Sequence, residues 1–309
     1  MPVAPSTQHP AAPQSRGRSR QRERRRARHR SAEPAETFSR SLKALGYLAR
    51  NGVQVSARVT DLSTGAELLS VDDYVVMPTA SIGKVLLLVD VAARLDDTEF
   101  AALTILDRES NDSVGDSGIW QHLQAPSLPV ADLAALVGAT SDNLATNVLL
   151  RLIGLDSVRR RAESIGLKRT ALLDRVRDHR GPDDAPHLSV GSMKEIAWLF
   201  SALARGEIVD QSTSQRVAGW LSLNADLSMV ASAFGMDPLS HRSGDHGIQM
   251  FNKTGVDAGV RADAGVVRGP RAGVAYAIAV SFADTDLSTR LAVYDAMHTV
   301  GLDLVEYIH

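Results

Sequence analysis

The sequence predicts an α+β fold, an α/β sandwich in which one antiparallel sheet built from both ends of the chain is flanked by helices. Strand-like alternation of apolar and polar residues occurs early and late in the chain, whereas helical periodicity fills the middle. Strands from both ends can pair in one sheet, so we expect an all-helical inserted subdomain at about residues 90–211. With 309 residues, of which 44% are hydrophobic, the chain is long enough to bury a sizeable core.

The predicted elements follow in order along the chain. Residues 36–50 form a helix, because Phe38, Leu42, Leu45 and Leu48 fall on one face. Residues 53–62 and 66–71 alternate as two strands around a turn and predict a β-hairpin. The remaining patterns predict helices after Ser81 and at 131–139, 144–153, 157–165, 191–206 and 213–223, strands at 248–254, 260–267 and 273–282, and a closing helix at 288–308.

Composition excludes several function classes. No uncharged apolar run approaches the ~20 residues of a membrane span, and the absence of cysteine excludes disulfides and thiol chemistry. No glycine-rich phosphate loop indicates a nucleotide. His241 and His246 have no second ligand at metal spacing, so we expect neither a metal nor another cofactor.

The first 34 residues differ in charge from the rest. Residues 1–30 hold nine arginines and one acid, a charge of +8, which leaves −10 for the remainder. Dense like charge without aliphatic periodicity predicts a disordered tail at 1–34, with one domain at 35–309. The tail is either a solvated extension or a contact for anionic surfaces, and no specific nucleic acid is expected, because no aromatic residues are interleaved. No hydrophobic signal core follows the arginines, so the expectation is a cytoplasmic protein as written, or an exported one if the true start or an atypical signal is missed.

The stretch 81-SIGK-84 opens a helix with a hydroxyl and a lysine one turn apart. Almost only apolar residues follow Lys84, and a buried ammonium is costly unless it is paired. Ser81, at the start of this helix, has its N–H at the positive end of the helix dipole and its Oγ within reach of Lys84. A nucleophile beside a base would explain the buried lysine, although the motif alone is weak.

Two further triplets occur later in the chain. The triplet 141-SDN-143 precedes a helix, where each residue type is also a good N-cap. The triplet 253-KTG-255 lies on a predicted strand, where it also suits a strand end with a turn glycine.

In this order the three motifs resemble the serine β-lactamase and penicillin-binding protein family, closest to class A β-lactamases. The resemblance extends from about residue 38 to the C-terminus and implies the β-lactamase/transpeptidase-like fold. It also implies a nucleophile, Ser81, a base, Lys84, and a proton relay, Ser141. Asn143 would hold Lys84 and a substrate amide, and Lys253 and Thr254 would bind a substrate carboxylate. The N–H groups of Ser81 and Val256 would form the oxyanion hole, and Gly255 would let substrate lie against the strand edge.

The loop at 170–186 departs from the family. Class A enzymes carry a water-activating glutamate there, but this chain has Arg177 or its neighbour at that place and no glutamate between Glu163 and Glu195. Asp178 is the nearest carboxylate that would substitute. The competing interpretation is a salt bridge from Asp178 to an arginine, Arg175 or Arg180.

Two other side chains have alternative interpretations. Arg261, on the strand after Lys253, falls near the carboxylate-binding arginine of class A enzymes, but it is also compatible with an ordinary surface arginine. Trp120 would wall the cleft as a gatekeeper or lie half-buried in the core.

The resemblance implies a serine hydrolase that forms an acyl-enzyme with a small-molecule substrate, most economically a β-lactam. The missing glutamate predicts slow deacylation. Two alternatives remain: an ester or amide hydrolase or penicillin-binding protein of the same fold, and a ligand-binding module without turnover.

Overall fold

The computed structural model describes residues 38–95, 102–241, 247–283 and 286–309. The predicted tail at 1–34 and His246 lie outside these residues. Within the described residues the fold contains eight α-helices: α1 Ser39–Arg50, α2 Lys84–Arg94, α3 Val130–Thr140, α4 Asn143–Ile153, α5 Leu155–Ser164, α6 Met193–Arg205, α7 Gln211–Leu221 and α8 Leu287–Ile308. No helix in these ranges is long and apolar enough to cross a membrane.

The main sheet contains five antiparallel strands from both ends of the chain, as predicted. Its order is β2-β1-β10-β9-β8, with bounds β1 Gln54–Asp61, β2 Glu67–Val71, β8 Gln249–Asp257, β9 Val260–Arg268 and β10 Gly273–Ser281. The early and late parts of the chain meet where β1 pairs with β10, from Gln54 opposite Ser281 to Asp61 opposite Val274. Strand β8 therefore forms one edge of the sheet.

The central strand β10 is buried on both faces because two hydrophobic cores sandwich the sheet. Its alanines at 275, 277 and 279 join the core on the α6 side, whereas the larger Tyr276, Ile278 and Val280 join the core formed with α1 and α8. Side chains alternate between the faces of a strand. The small residues therefore allow α6 to pack closer to β10 than α1 and α8 can pack on the face with the large residues.

The middle of the chain is mainly helical, as predicted, but it also contains short strands. These are β3 Val76–Pro78, β4 Ile105–Asp107, β5 Ser127–Pro129, β6 Ala171–Leu172 and β7 Ser189–Ser192. Strands β3, β7 and β6 form one small sheet, and β4 pairs with β5 in another. Runs of two to four residues are too short to produce a period-two signal, which explains why periodicity missed them.

Candidate active site

Ser81 lies in a 3₁₀ turn, Ala80–Gly83, directly before α2. The α-helix begins at Lys84, whereas the sequence predicted that it would begin at Ser81, three residues earlier. Edge strand β8 packs closely on this turn, since a Cβ on Gly255 would lie 2.3 Å from the carbonyl oxygen of Thr79. Only glycine permits this approach, which brings the strand edge beside Ser81.

Lys84 is fully buried, and its Nζ has three hydrogen-bond acceptors. It donates to Ser141 O at 2.7 Å, to Ser141 Oγ at 3.2 Å and to Asn143 Oδ1 at 2.7 Å. Burial lowers the pKa of Lys84 well below its ordinary value, and the nearby charge of Lys253 lowers it further. Lys84 therefore loses a proton more readily than an ordinary lysine, as a general base requires.

The Ser141–Asn143 triplet forms the junction between α3 and α4. Ser141 has a left-handed backbone, with φ 56°, and Asp142 caps α4 by accepting from Ala145 N at 2.9 Å. The Asp142 carboxylate also accepts from the Trp120 N–H at 2.8 Å. The backbone at Ser141 is strained and held by its surroundings, as is common in active sites.

The Lys253–Gly255 triplet lies on β8, as predicted. Lys253 is fully buried, and its Nζ donates to Thr254 O at 2.8 Å. Desolvation lowers the pKa of Lys253 to about 8, against the opposing charges of Asp226 and Asp263. At neutral pH Lys253 is therefore still mostly protonated.

Two clefts meet at Ser81. The smaller, about 390 Å³, is lined by Ser141, Thr254 and a loop around Asp226. The larger, about 680 Å³, is lined by Asn143 and by the 176–188 loop. Ser81, Ser117 and Val256 line both. A bound molecule can therefore extend to both sides of the serine.

The 170–186 loop is pinned to α4 through Asn147. Its side chain accepts from Val176 N at 2.9 Å and donates to Val176 O at 3.0 Å. Arg177 is committed to ion pairs with Asp174 and Asp184. The apolar Val176 is thus the pinned loop residue that lines the cleft of Ser81.

Asp178 lines the larger cleft and accepts from Gly115 N at 2.8 Å. Neither arginine proposed as its salt-bridge partner contacts it. Arg180 pairs instead with Asp174, and Arg175 donates to Asn111 O. The geometry keeps Asp178 at the cleft wall.

Two sequence-based assignments differ from the structure. Trp120 is fully buried in the helical core, with its indole N–H on Ala125 O at 3.0 Å, so it is neither a gatekeeper nor half-buried. Arg261 is 6% exposed and lies over the rings of Phe282 and Tyr294. It lines neither cleft, and its guanidinium donates to Asp257 O and Val260 O.

Several site residues were not identified from the sequence. Asn147 lies inside a predicted helix with no motif of its own, and Asn224, Asp226, His179 and His187 belong to loops without a recognisable motif. The only available signal was that polar side chains interrupt otherwise apolar or turn-forming segments. That signal is too common to select them.

The chain matches the sequence profile of the Beta-lactamase enzyme family over residues 37–308. No curated protein matches this chain significantly in sequence. Solved structures with a similar fold include a β-lactamase from Sphaerobacter thermophilus DSM 20745, with a TM-score of 0.76 at 22% identity, covering 88% of this chain and 97% of that one.

A β-lactamase from Xanthomonas campestris pv. campestris str. ATCC 33913 has a TM-score of 0.73 at 18% identity, covering 88% of this chain and 99% of that one. A mutant of PBP-A in an acyl-enzyme complex with penicillin G has a TM-score of 0.72 at 21% identity, covering 87% and 97%. At these identities the likeness is one of fold.

Proposed function

The chain belongs to the β-lactamase enzyme family, and on that premise we propose that it is a serine hydrolase that reacts with β-lactams through an acyl-enzyme. The observation that carries the proposal is the environment of Lys84. A buried amine with a depressed pKa lies one turn from Ser81 and contacts both Ser141 and Asn143. A weakly nucleophilic hydroxyl requires a base of this kind.

In the acylation step, Ser81 Oγ attacks the amide carbonyl carbon while Lys84 takes the hydroxyl proton. Lys84 Nζ donates a hydrogen bond to Ser141 Oγ at 3.2 Å, which links the base to the proton relay. Ser141 then passes a proton to the leaving nitrogen and regains one from Lys84. The C–N bond breaks, and the acyl group remains on Ser81 as an ester.

The oxyanion is bound by the backbone N–H groups of Ser81 and Val256. Thr254 and Val256 both line the smaller cleft on the edge strand β8. Strand orientation repeats every two residues, so Val256 faces the same side. One such donor contributes roughly 3 to 4 kcal/mol to a transition state.

Deacylation is the slower step in this proposal. The loop residue pinned beside the cleft is Val176, which has no proton-accepting group. Asp178 is the carboxylate that lines the same cleft, and we assign it the activation of water. This arrangement also supports a second function, a penicillin-binding protein that remains acylated.

Intact mass measured after mixing with penicillin G tests the proposal. We expect an adduct of one drug molecule that appears in a burst and decays slowly. Ser81→Ala should abolish it, whereas Ser117→Ala, which removes another hydroxyl from the same wall, should retain it. An adduct on Ser81→Ala, or intact drug without an adduct on the wild type, would refute the assignment.

A further inference from the structure

The smaller cleft contains an unexpected charge. It is the leaving-group side of the site, because Ser141 lines it and the acylation step delivers a proton there. Its lining consists of hydroxyl, amide and small apolar side chains together with one formal charge, the carboxylate of Asp226. The formal charge in the lining is therefore negative, with the buried Lys253 close enough behind the wall to interact with it electrostatically.

The loop that carries Asp226 is held in place by buried amides. Asn224 Nδ2 donates to Asp226 O at 3.0 Å and to Asn252 Oδ1 at 2.8 Å. Asn252 in turn donates to Asp263 Oδ1 at 3.0 Å. Each of these three supporting side chains is at most 1% exposed. The loop is thus fixed to the interior of the sheet.

Only one of the two carboxylate oxygens of Asp226 accepts hydrogen bonds from the described residues. Its Oδ1 accepts from Ser228 N at 3.1 Å and from Ser228 Oγ at 2.6 Å. Its Oδ2 has no hydrogen-bond partner among the described residues. One oxygen therefore fixes the side chain, and the other is free to accept a hydrogen bond from a ligand.

The two cations expected to bind a substrate carboxylate do not line this cleft. Lys253 is buried behind the wall with its Nζ on Thr254 O. Arg261 lies over the ring of Tyr294 and donates to backbone carbonyls of its own hairpin. The charges that act electrostatically on Lys84 are those of Lys253, Asp142 and Asp116, so cations and carboxylates are mixed near Ser81.

We propose that Asp226 is a specificity-determining residue that recognises an ammonium group on the leaving-group side of the substrate. The preferred substrates are amides or esters whose amine or alcohol portion carries a positive charge, rather than a carboxylate. The inference rests on the proposed function only in assigning this half of the cleft to the leaving group. Opposite charges at hydrogen-bond distance attract even in a water-exposed site.

Equilibrium binding to the Ser81→Ala protein tests this proposal without requiring turnover. The ligands are three matched phenylacetamides, made from meta-aminobenzylamine, aniline and meta-aminobenzoic acid, which carry an ammonium, no charge and a carboxylate. We expect calorimetry to show the ammonium ligand bound about tenfold more tightly than the carboxylate ligand, a preference that weakens with added salt.

Asp226→Asn, added to Ser81→Ala, should remove this preference, because an asparagine keeps the Ser228 contacts but not the charge. Asp257→Asn should retain it, since Asp257 lines the other cleft. Equal or tighter binding of the carboxylate ligand, binding of none of the three, or a preference that survives Asp226→Asn would overturn the proposal. The salt dependence measured on Ser81→Ala alone decides the matter if Asp226→Asn does not fold.

The proposed function fails by a separate readout. If penicillin G and a fluorophosphonate leave the wild-type mass unchanged while the ammonium preference holds, acyl transfer by Ser81 is wrong and the recognition by Asp226 stands. If labelling occurs and the ammonium preference is absent, acyl transfer by Ser81 stands and the recognition by Asp226 is wrong.

Discussion

The two sides of Ser81 differ in how completely they are built. On one side, Lys84, Ser141 and Asn143 form a buried set joined by hydrogen bonds of 2.7 to 3.2 Å. On the other side, the loop presents an apolar Val176 and an exposed Asp178. Under the proposed function, different parts of the fold form the acyl-enzyme and hydrolyse it, and the residues for the first step are the more complete set in this chain.

The largest expected effect comes from supplying the missing base. Val176→Glu should place a carboxylate on the pinned loop residue beside Ser81 and accelerate decay of the penicillin adduct by about 10²-fold or more, the usual contribution of a positioned general base. Time-resolved intact mass gives the rate. Val176→Gln, which matches the size without the charge, should decay like the wild type. Equal acceleration by both variants would show that loop packing, not a base, limits deacylation.

Removing the base on the complete side should separate activity from stability. Lys84→Met should slow acylation by about 10²-fold or more. It should also raise the free energy of unfolding at neutral pH by about 1 kcal/mol or more, because the buried amine no longer has to be desolvated. Lys168→Met, at an exposed lysine, should change neither quantity.

The stability gain of Lys84→Met has a defined pH dependence. The pKa of Lys84 is depressed in the folded protein, so the unfolded chain binds more protons in the window below the ordinary pKa. In that window the stability of the wild type rises with pH. Its difference from Lys84→Met should therefore shrink as the pH approaches the ordinary lysine value of about 10.4. Denaturant unfolding at several pH values would show a constant difference if Lys84 were not desolvated.

The smallest effects should distinguish two neighbouring aspartates in the loop. Asp178→Asn should lengthen the adduct lifetime by up to about tenfold with little loss of stability, since it removes one water-activating carboxylate. Asp174→Asn should instead lower stability by about 1 to 2 kcal/mol, because the Asp174 carboxylate contacts Arg177 and Arg180. An unchanged lifetime in Asp178→Asn would exclude Asp178 as the base.

The sheet and the long helices were predictable from the sequence because their patterns are local. Strand β10 and helix α8 repeat their apolar positions over many residues, and the structure places both within a few residues of the prediction. Lys84 stands out for a different reason, because it is a lysine in an otherwise apolar helix, whereas the two later triplets stand out only through the family resemblance.

Other features depend on contacts that no local pattern records. Arg261 is held over the rings of Phe282 and Tyr294 by contacts with residues that follow it by more than twenty positions in the chain. Trp120 is buried because its side chain packs in a core whose other members come from distant parts of the chain. The position of Asp226 depends on Asn224 and Asn252, which are 28 residues apart in sequence.

The contact between Gly255 and Thr79 O has a consequence for how this family member can diversify. The distance between the nucleophile turn and the sheet edge is set by backbone against backbone, so any side chain at residue 255 would push the two apart. One dimension of the cleft is therefore closed to gradual adjustment by point substitution. New substrate preferences must come instead from the loops around Asp226 and Val176, where side chains change without moving the serine. We expect natural and laboratory variation in selectivity to concentrate in these two loops.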